Sequence, residues 1–201
     1  MIVFTVDDNG LIKTIADQLG EYHSKAPTVL KQALNATAKD ARTMLATQAQ
    51  EVYVIQKSRF NKAMEFGSKD KATLKKLEAT IRAKGTSLEL LDFKTVPKKP
   101  TTGDARPDIT TGKVLKSSGM KRLEVGGIKA FVAQFRSGHV SIVQRRGAER
   151  LPVRKLLSPS IPKMVGNEKA VYGEVKPQIA ELLDANIRKY IDKTISKGAK
   201  A

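Results

Sequence analysis

The sequence contains few side chains that could perform catalysis. Its 201 residues include no cysteine and two histidines, so thiol nucleophiles, cysteine zinc sites and iron–sulfur clusters are excluded. A Ser–His–acid triad would need His23 or His139 as its base. His139 directly follows a hairpin glycine, and nothing in the sequence resembles a nucleophile elbow. We therefore interpret His139 as a structural residue at the end of a hairpin and predict no catalytic residue.

The carboxylates do not predict a metal site, and the glycines do not predict a nucleotide-binding site. Asp7-Asp8 and the pair Asp104 with Asp108 could hold the metal ion of a nuclease. Both pairs lie beside turn signals, where solvated loop carboxylates are the better interpretation. Gly126-Gly127 and Gly112-Lys113 match neither a phosphate-binding loop nor a dinucleotide-binding fingerprint. The sequence therefore predicts no metal ion, no cofactor and no small-molecule substrate.

Positive charge is the strongest chemical signal in the chain. Lysines and arginines number 37 against 20 aspartates and glutamates, a formal net charge of +17. Residues 113–163 alone hold 12 basic and 2 acidic side chains, and such a block favours polyanions or acidic protein surfaces as partners. The densest group, called here the basic segment, comprises Arg145, Arg146, Arg150, Arg154 and Lys155.

We predict that the basic segment lines a surface facing DNA phosphates or the carboxylates of a neighbouring subunit. Clustered like charges repel one another and gain little in a lone monomer. Aromatic residues make up 5% of the chain and tryptophan is absent, so a platform for stacking single strands is poorly supplied. Contact with a duplex backbone stays open, base readout is not supported, and a basic surface without a dedicated partner is the alternative.

Prolines follow the basic segment and predict a stiff, extended passage. Proline fixes its own φ angle and biases the preceding residue toward extended conformations. An arm that is already stiff loses less entropy when it docks on another subunit. We therefore predict a docking arm that includes Pro152, Pro159, Ile161 and Pro162.

Two amphipathic helices are predicted to carry the core. One begins at Pro27 and has an alanine-rich stripe from Leu30 to Leu45 at helical spacing. The other has a stripe from Val171 to Ile195, with Pro177 marking a kink or a new start and with residues 196–201 free to fray. We predict that this second stripe packs mainly against the protein's own core, with residues 28–45 of the alanine-rich helix as a leading partner.

Short strands are predicted between these helices. Residues 94–112 have three prolines and no periodicity, which predicts a long, mobile loop. The fold class is therefore α+β, an antiparallel sheet packed by an alanine-rich N-terminal helix and a long C-terminal helix, in a single domain over residues 1–201. The predicted strands are Ile2–Val6, Leu77–Ala83, Arg122–Val125, Lys129–Phe135 and His139–Arg145, the last two forming a hairpin.

Several stretches resemble the minor tail protein Z family of long-tailed bacteriophages. The looser one is Ala33-Leu-Asn-Ala-Thr-Ala-Lys-Asp-Ala-Arg42. The more specific one runs from Phe131-Val-Ala-Gln-Phe through Gly138-His139 to Arg146-Gly-Ala-Glu-Arg150-Leu-Pro-Val and Leu156-Leu-Ser-Pro-Ser-Ile-Pro-Lys-Met164. In that family a helix precedes a sheet, a basic Arg-x-Gly-x-x-Arg-x-Pro segment and a Pro-Ser-Ile-Pro turn. The resemblance extends from about residue 25 to residue 195.

The resemblance implies a structural virion protein, without a catalytic role, that completes the tail end that meets the head. Its implied partners are a tail terminator or tail tube, a head connector and further copies in a homo-oligomeric ring, and contact with genomic DNA is left open. The implied location is the tail or neck of the virion, reached from the host cytoplasm during assembly. No apolar run approaches the ~18 residues of a membrane span. A non-specific double-stranded-DNA-binding protein is the alternative function.

Overall fold

The computed structural model describes residues 2–4, 8–101, 103 and 107–199, and for residues 2–4, 8 and 9 it describes the backbone alone. Asp7 and Asp104, each half of a candidate acidic pair, lie outside the described residues. The helices are α1 (Asp8–Leu19), α2 (Ala26–Val52), α3 (Lys57–Ala63), α4 (Ile161–Val165) and α5 (Tyr172–Gly198). None of the helices formed by the described residues is both long enough and apolar enough to cross a membrane.

Helices α2 and α5 pack together and form the centre of the core. Pro27 lies in the first turn of α2, where its missing N–H group would have no helical partner. The alanines of α2 that face α5 are buried, and their small side chains let the two helices approach closely. The buried Asn186 Nδ2 donates a hydrogen bond to Thr37 Oγ1 at 3.0 Å and so joins the two helices. The predicted packing of the C-terminal stripe on the first helix is confirmed.

The predicted C-terminal stripe is only partly buried. Val175, Ile179, Ile187 and Ile191 are buried, whereas Leu182 and Leu183 are half-buried and Ile195 is 38% exposed. Pro177 lies inside one continuous helix. Pro177 has no backbone N–H group, so one helical hydrogen bond is missing near the N-terminus of α5. Packing against α2 stabilises the helix despite this loss.

Twelve short strands lie among the described residues, in antiparallel sheets, so the predicted α+β class is confirmed. The sheet orders are β1-β3-β2, β11-β10-β9-β8, β12-β4 and β5-β6-β7, where a single sheet was expected. The strands are β1 (Ile2–Phe4), β2 (Met64–Glu65), β3 (Ala79–Ala83), β4 (Ser87–Glu89), β5 (Lys94–Val96), β6 (Thr111–Lys113), β7 (Lys121–Arg122), β8 (Glu124–Val125), β9 (Ile128–Gln134), β10 (Val140–Arg145), β11 (Val153–Lys155) and β12 (Leu157–Ser160).

The four-stranded sheet of β8 to β11, called here the central sheet, carries most of the basic segment. Its inner face contributes Ala130 and Ile142 to a small apolar cluster that also contains Leu90. This cluster is distinct from the larger core that surrounds α2 and α5. The central sheet is therefore attached to the helical core through a second, smaller core.

The ends of the predicted loop at 94–112 are ordered strands. Lys94–Val96 pairs with Thr111–Lys113 in antiparallel register. Strands of three residues are too short to show an alternating pattern, so they could not be predicted from the sequence. Residues 102 and 104–106 lie outside the described residues, so the predicted mobility of this loop stays a prediction.

Candidate functional site

Two turns lie side by side at one end of the central sheet. The turn between β8 and β9 is formed by Gly126 and Gly127, whose φ angles of +62° and +72° suit a tight two-residue hairpin. The turn between β10 and β11 spans residues 146–152. Because Ala130 near the start of β9 is paired with Gln144 near the end of β10, both turns emerge at the same end. We call residues 125–128 and 145–153 the paired-turn end.

The basic segment does not lie on one face of the sheet. Lys155 pairs with Val143, and Arg154 pairs with Gln144, so their side chains point to opposite faces. Arg145 lies on the Lys155 face, which is called here the outer face and also carries the buried Ser141 and Val143. Arg146 and Arg150 lie in the exposed turn itself. The structure therefore places Arg145, Arg146 and Arg150 at the paired-turn end, whereas Arg154, which is also exposed, lies on the opposite face beside Gln144.

Gln144 is the residue that holds the paired-turn end together. It is 1% exposed, and its Nε2 donates hydrogen bonds to the carbonyl oxygens of Val125 and Ile128 at 3.2 and 2.5 Å. Its Oε1 accepts bonds from Arg154 Nε at 3.1 Å and Nη2 at 2.6 Å. The buried amide is thus fully used, and it links β10 to both turns.

Gln144 was not among the residues predicted from the sequence. A usable signal exists, because the alternating pattern places Gln144 on the same face as the buried Ile142. A glutamine at an inward-facing strand position indicates an internal hydrogen-bond network.

Two cations of the basic segment lie over aromatic rings on the outer face. The Arg145 guanidinium is 5.9 Å from the centre of the Phe131 ring. Lys155 Nζ is 5.7 Å from the centre of the Phe135 ring, and His139 stacks on the same ring. These contacts restrict both cations and stabilise their positions by a cation–π attraction.

Lys155 also has a carboxylate partner within the subunit. Glu89 accepts hydrogen bonds from Lys155 Nζ at 2.8 Å and from His139 Nε2 at 3.0 Å. Burial raises the pKa of Glu89, but the hydrogen bonds from Lys155 and His139 and the positive charge of Lys155 outweigh burial and hold this pKa below the ordinary value. His139 therefore makes a structural hydrogen bond, as predicted, and Lys155 is largely neutralised internally.

Arg146 and Arg150 differ from Lys155 in this respect. Among the described residues, no carboxylate lies within ion-pair distance of either guanidinium. Leu151, beside them, is 68% exposed, and Val125 on the neighbouring turn is 59% exposed. The paired-turn end thus combines three arginines and one carboxylate, Glu149, with exposed apolar side chains.

The predicted docking arm is largely built into the subunit. Pro159 lies in β12, which pairs with β4, and Ile161 begins α4 in the core at 3% exposure. Pro162 lies in the first turn of α4, which ends the extended passage. Pro152 and Pro159 are exposed. Docking on another subunit through these two prolines stays a prediction.

The part of the chain that the structure describes contains no group of three or more acidic or histidine side chains arranged to hold a metal ion. The paired-turn end likewise contains no nucleophile with an adjacent base. Its chemistry is that of a contact surface, with arginines for anionic groups and leucine and valine for apolar ones.

Comparisons with known proteins agree with this interpretation. A family model described as prophage minor tail protein Z (GPZ) matches residues 10–199. No curated protein and no solved structure matches the chain. The family match spans both long helices and the central sheet, so it covers the core as well as the paired-turn end. This is a family of structural phage tail proteins, located in the virion tail, and not of enzymes. The chain therefore belongs to the prophage minor tail protein Z family.

Proposed function

We propose that this protein completes the head-proximal end of the tail and helps to form the head–tail junction. The observation that carries the proposal is the paired-turn end, where Arg146 and Arg150, which make no ion pair with any described residue, accompany exposed apolar side chains. A tail protein with such an end is suited to contact a neighbouring protein. A tail terminator or tail tube on one side and a head connector on the other are the proposed partners.

The charge distribution supports an assembly role. Residues 53–171 carry 26 basic and 10 acidic side chains, whereas residues 8–52 and 172–199 together carry 10 and 9. Nearly all of the net positive charge therefore lies in residues 53–171, which contain strands β2 to β12. Electrostatic attraction to an acidic ring would speed encounter and orient the subunit before docking. We propose that several copies form a homo-oligomeric ring during assembly in the host cytoplasm.

The test is complementation of particles that lack this protein. Heads and tails from a phage with the gene deleted are mixed with purified wild-type protein, and infectious particles are counted. We expect joined, infectious particles to form only after the protein is added. Electron microscopy of the mixture should show free tails and free heads without it. Normal head–tail joining in its absence would overturn the proposal.

Non-specific binding to double-stranded DNA is the second candidate function. The net charge of +17 supports it, because phosphate contacts depend on lysines and arginines and not on base sequence. Affinity for a random duplex would then fall steeply as the salt concentration rises. Tight, salt-dependent binding by the isolated subunit, together with normal joining of heads and tails in its absence, would favour this candidate.

A further inference from the structure

We propose that the paired-turn end binds an apolar patch ringed by carboxylates on another protein of the tail. This inference rests on the proposed function, since it names the surface through which the protein would join its neighbour. Leu151 and Val125 are the exposed large apolar side chains at this end, 68% and 59% accessible. They come from two different turns that the strand register brings together.

The two turns are held in place before any partner binds. Gln144 bonds the Val125 carbonyl on one turn and the Arg154 guanidinium beside the other. The Arg146 N–H donates to the Pro152 carbonyl at 3.1 Å and closes the second turn. A surface whose backbone is already ordered loses less conformational entropy on docking. Gln144 is thus a positioning residue for the apolar pair.

The charges indicate what surrounds the apolar patch on the partner. Arg146 and Arg150 flank Leu151 in the same turn, and among the described residues neither has a carboxylate at ion-pair distance. Arginine beside buried apolar side chains is typical of the energetically important centre of protein interfaces. Carboxylates around an apolar patch would complement both the arginines and Leu151.

The apolar pair distinguishes a protein partner from duplex DNA. A DNA backbone offers phosphates to Arg146 and Arg150, but it offers no apolar surface that would bury Leu151 and Val125 together. Half or more of the contacts in protein–DNA complexes go to phosphate and sugar. On DNA the two apolar side chains would contribute little, whereas on a protein they would be the contacts that exclude water.

The chain supplies matched controls for both parts of the surface. Leu74 is 57% exposed and lies two residues after Ala72, whose N–H donates to Asn35 of α2, away from the paired-turn end. Arg136 lies in the exposed turn between β9 and β10, at the opposite end of the central sheet. Substitutions at these positions replace an exposed leucine or an exposed arginine, as in the test variants, but leave the paired-turn end unchanged.

The experiment measures binding to tails that lack this protein. Purified variants are mixed with such tails, and the bound fraction is measured after sedimentation. We expect the double variant Leu151→Ser with Val125→Ser to bind at least about tenfold more weakly than wild type, as for other central interface contacts. The double variant Arg146→Gln with Arg150→Gln should also bind more weakly and lose most of its salt dependence. Leu74→Ser and Arg136→Gln should each bind like wild type.

Three results would overturn the inference. The first is wild-type binding by the Leu151 and Val125 variant, shown to be folded by its circular dichroism. The second is a random DNA duplex that displaces the wild-type protein from tails. The third is self-association of the protein alone that the same variant abolishes, which would make the occupant a second copy. Failure of the wild-type protein to bind these tails at all would overturn the proposed function instead.

Discussion

The helix pair and the central sheet differ both in the size of their buried cores and in their charge. Helices α2 and α5 belong to the larger buried core, and the helical regions at residues 8–52 and 172–199 are almost neutral, with 10 basic and 9 acidic side chains. The central sheet has a small core of its own and lies in the strongly basic region. The larger buried core and most of the positive charge thus lie in different regions of the protein, so the charged surface that we propose for contact can be changed without disturbing the main core.

The largest effect is expected from a cavity in the helix pair. Leu45 in α2 is completely buried, and Leu45→Ala removes apolar contacts that the neighbouring helices cannot restore by moving. We expect a loss of about 2–5 kcal/mol in the free energy of unfolding, measured by chemical denaturation. Leu157→Ala, at a position 56% exposed on β12, should cost less than about 0.5 kcal/mol. Equal losses in the free energy of unfolding for the two variants would show that the larger core around α2 and α5 is not the main source of stability.

A smaller but still clear effect is expected at Gln144. Replacing it by leucine leaves the Arg154 side chain and two turn carbonyls without their buried partner, which should cost about 1–3 kcal/mol. Amide exchange should accelerate in the turn at 146–152 and stay unchanged in α5, because the lost bonds are local. Gln134→Leu is the matched control, since Gln134 is an exposed residue at the other end of the same sheet. Faster exchange throughout the chain would show that the sheet and helices unfold as one unit.

These two positions show what could be predicted from the sequence and what could not. The stripe around Leu45 repeats at helical spacing over several turns, so both the helix and its buried face were predictable. The partners of Gln144 lie 10 to 19 residues away, and Glu89 and Lys155 are separated by 66. Such contacts depend on strand register, which strands of two or three residues do not reveal. The clustering of basic residues in the basic segment could be predicted from the sequence. The position of their side chains on two different faces of the sheet could not.

The next effect concerns the ion pair that joins β4 to the outer face. The pKa of Glu89 lies below its ordinary value in the folded protein, so its contribution is present above the ordinary glutamate range and is lost as the pH falls through the folded value. Glu89→Gln should therefore reduce stability at neutral pH by less than about 1 kcal/mol. This difference should shrink toward zero in acid. The measurement is thermal unfolding of both proteins across the pH range.

Glu181→Gln on α5 is the control for that experiment. Glu181 is exposed and makes no ion pair with any described residue. Its variant should follow the wild-type protein at every pH. A difference between Glu89→Gln and wild type that grows in acid would mean that the hydrogen bonds from Lys155 and His139 do not favour the charged carboxylate.

The smallest effect on stability, and the sharpest test of the comparison, is expected from Arg145, Arg146 and Arg150. Replacing all three by glutamine removes the contact of Arg145 with the Phe131 ring, worth about 0.5–1 kcal/mol at an exposed site. It also relieves repulsion among clustered cations, which acts in the opposite direction. The melting temperature should therefore stay close to the wild-type value. Added salt should stabilise wild type more than the variant, because salt screens a repulsion that the variant has already lost.

The same three substitutions should affect the yield of infectious particles much more than the melting temperature. The triple variant should lower the yield of infectious particles, because the arginines lie where a neighbour would dock and not where the core is packed. Replacing Lys176, Lys189 and Lys197 of α5 by glutamine removes the same amount of charge from the helix pair and should leave the yield unchanged. Tails left without heads would point to an acidic protein partner, and loss of packaged DNA after normal joining would point to phosphates. If the arginine variant instead melts many degrees lower, these arginines stabilise the subunit itself, and the central sheet is not the interaction region that its charge suggests.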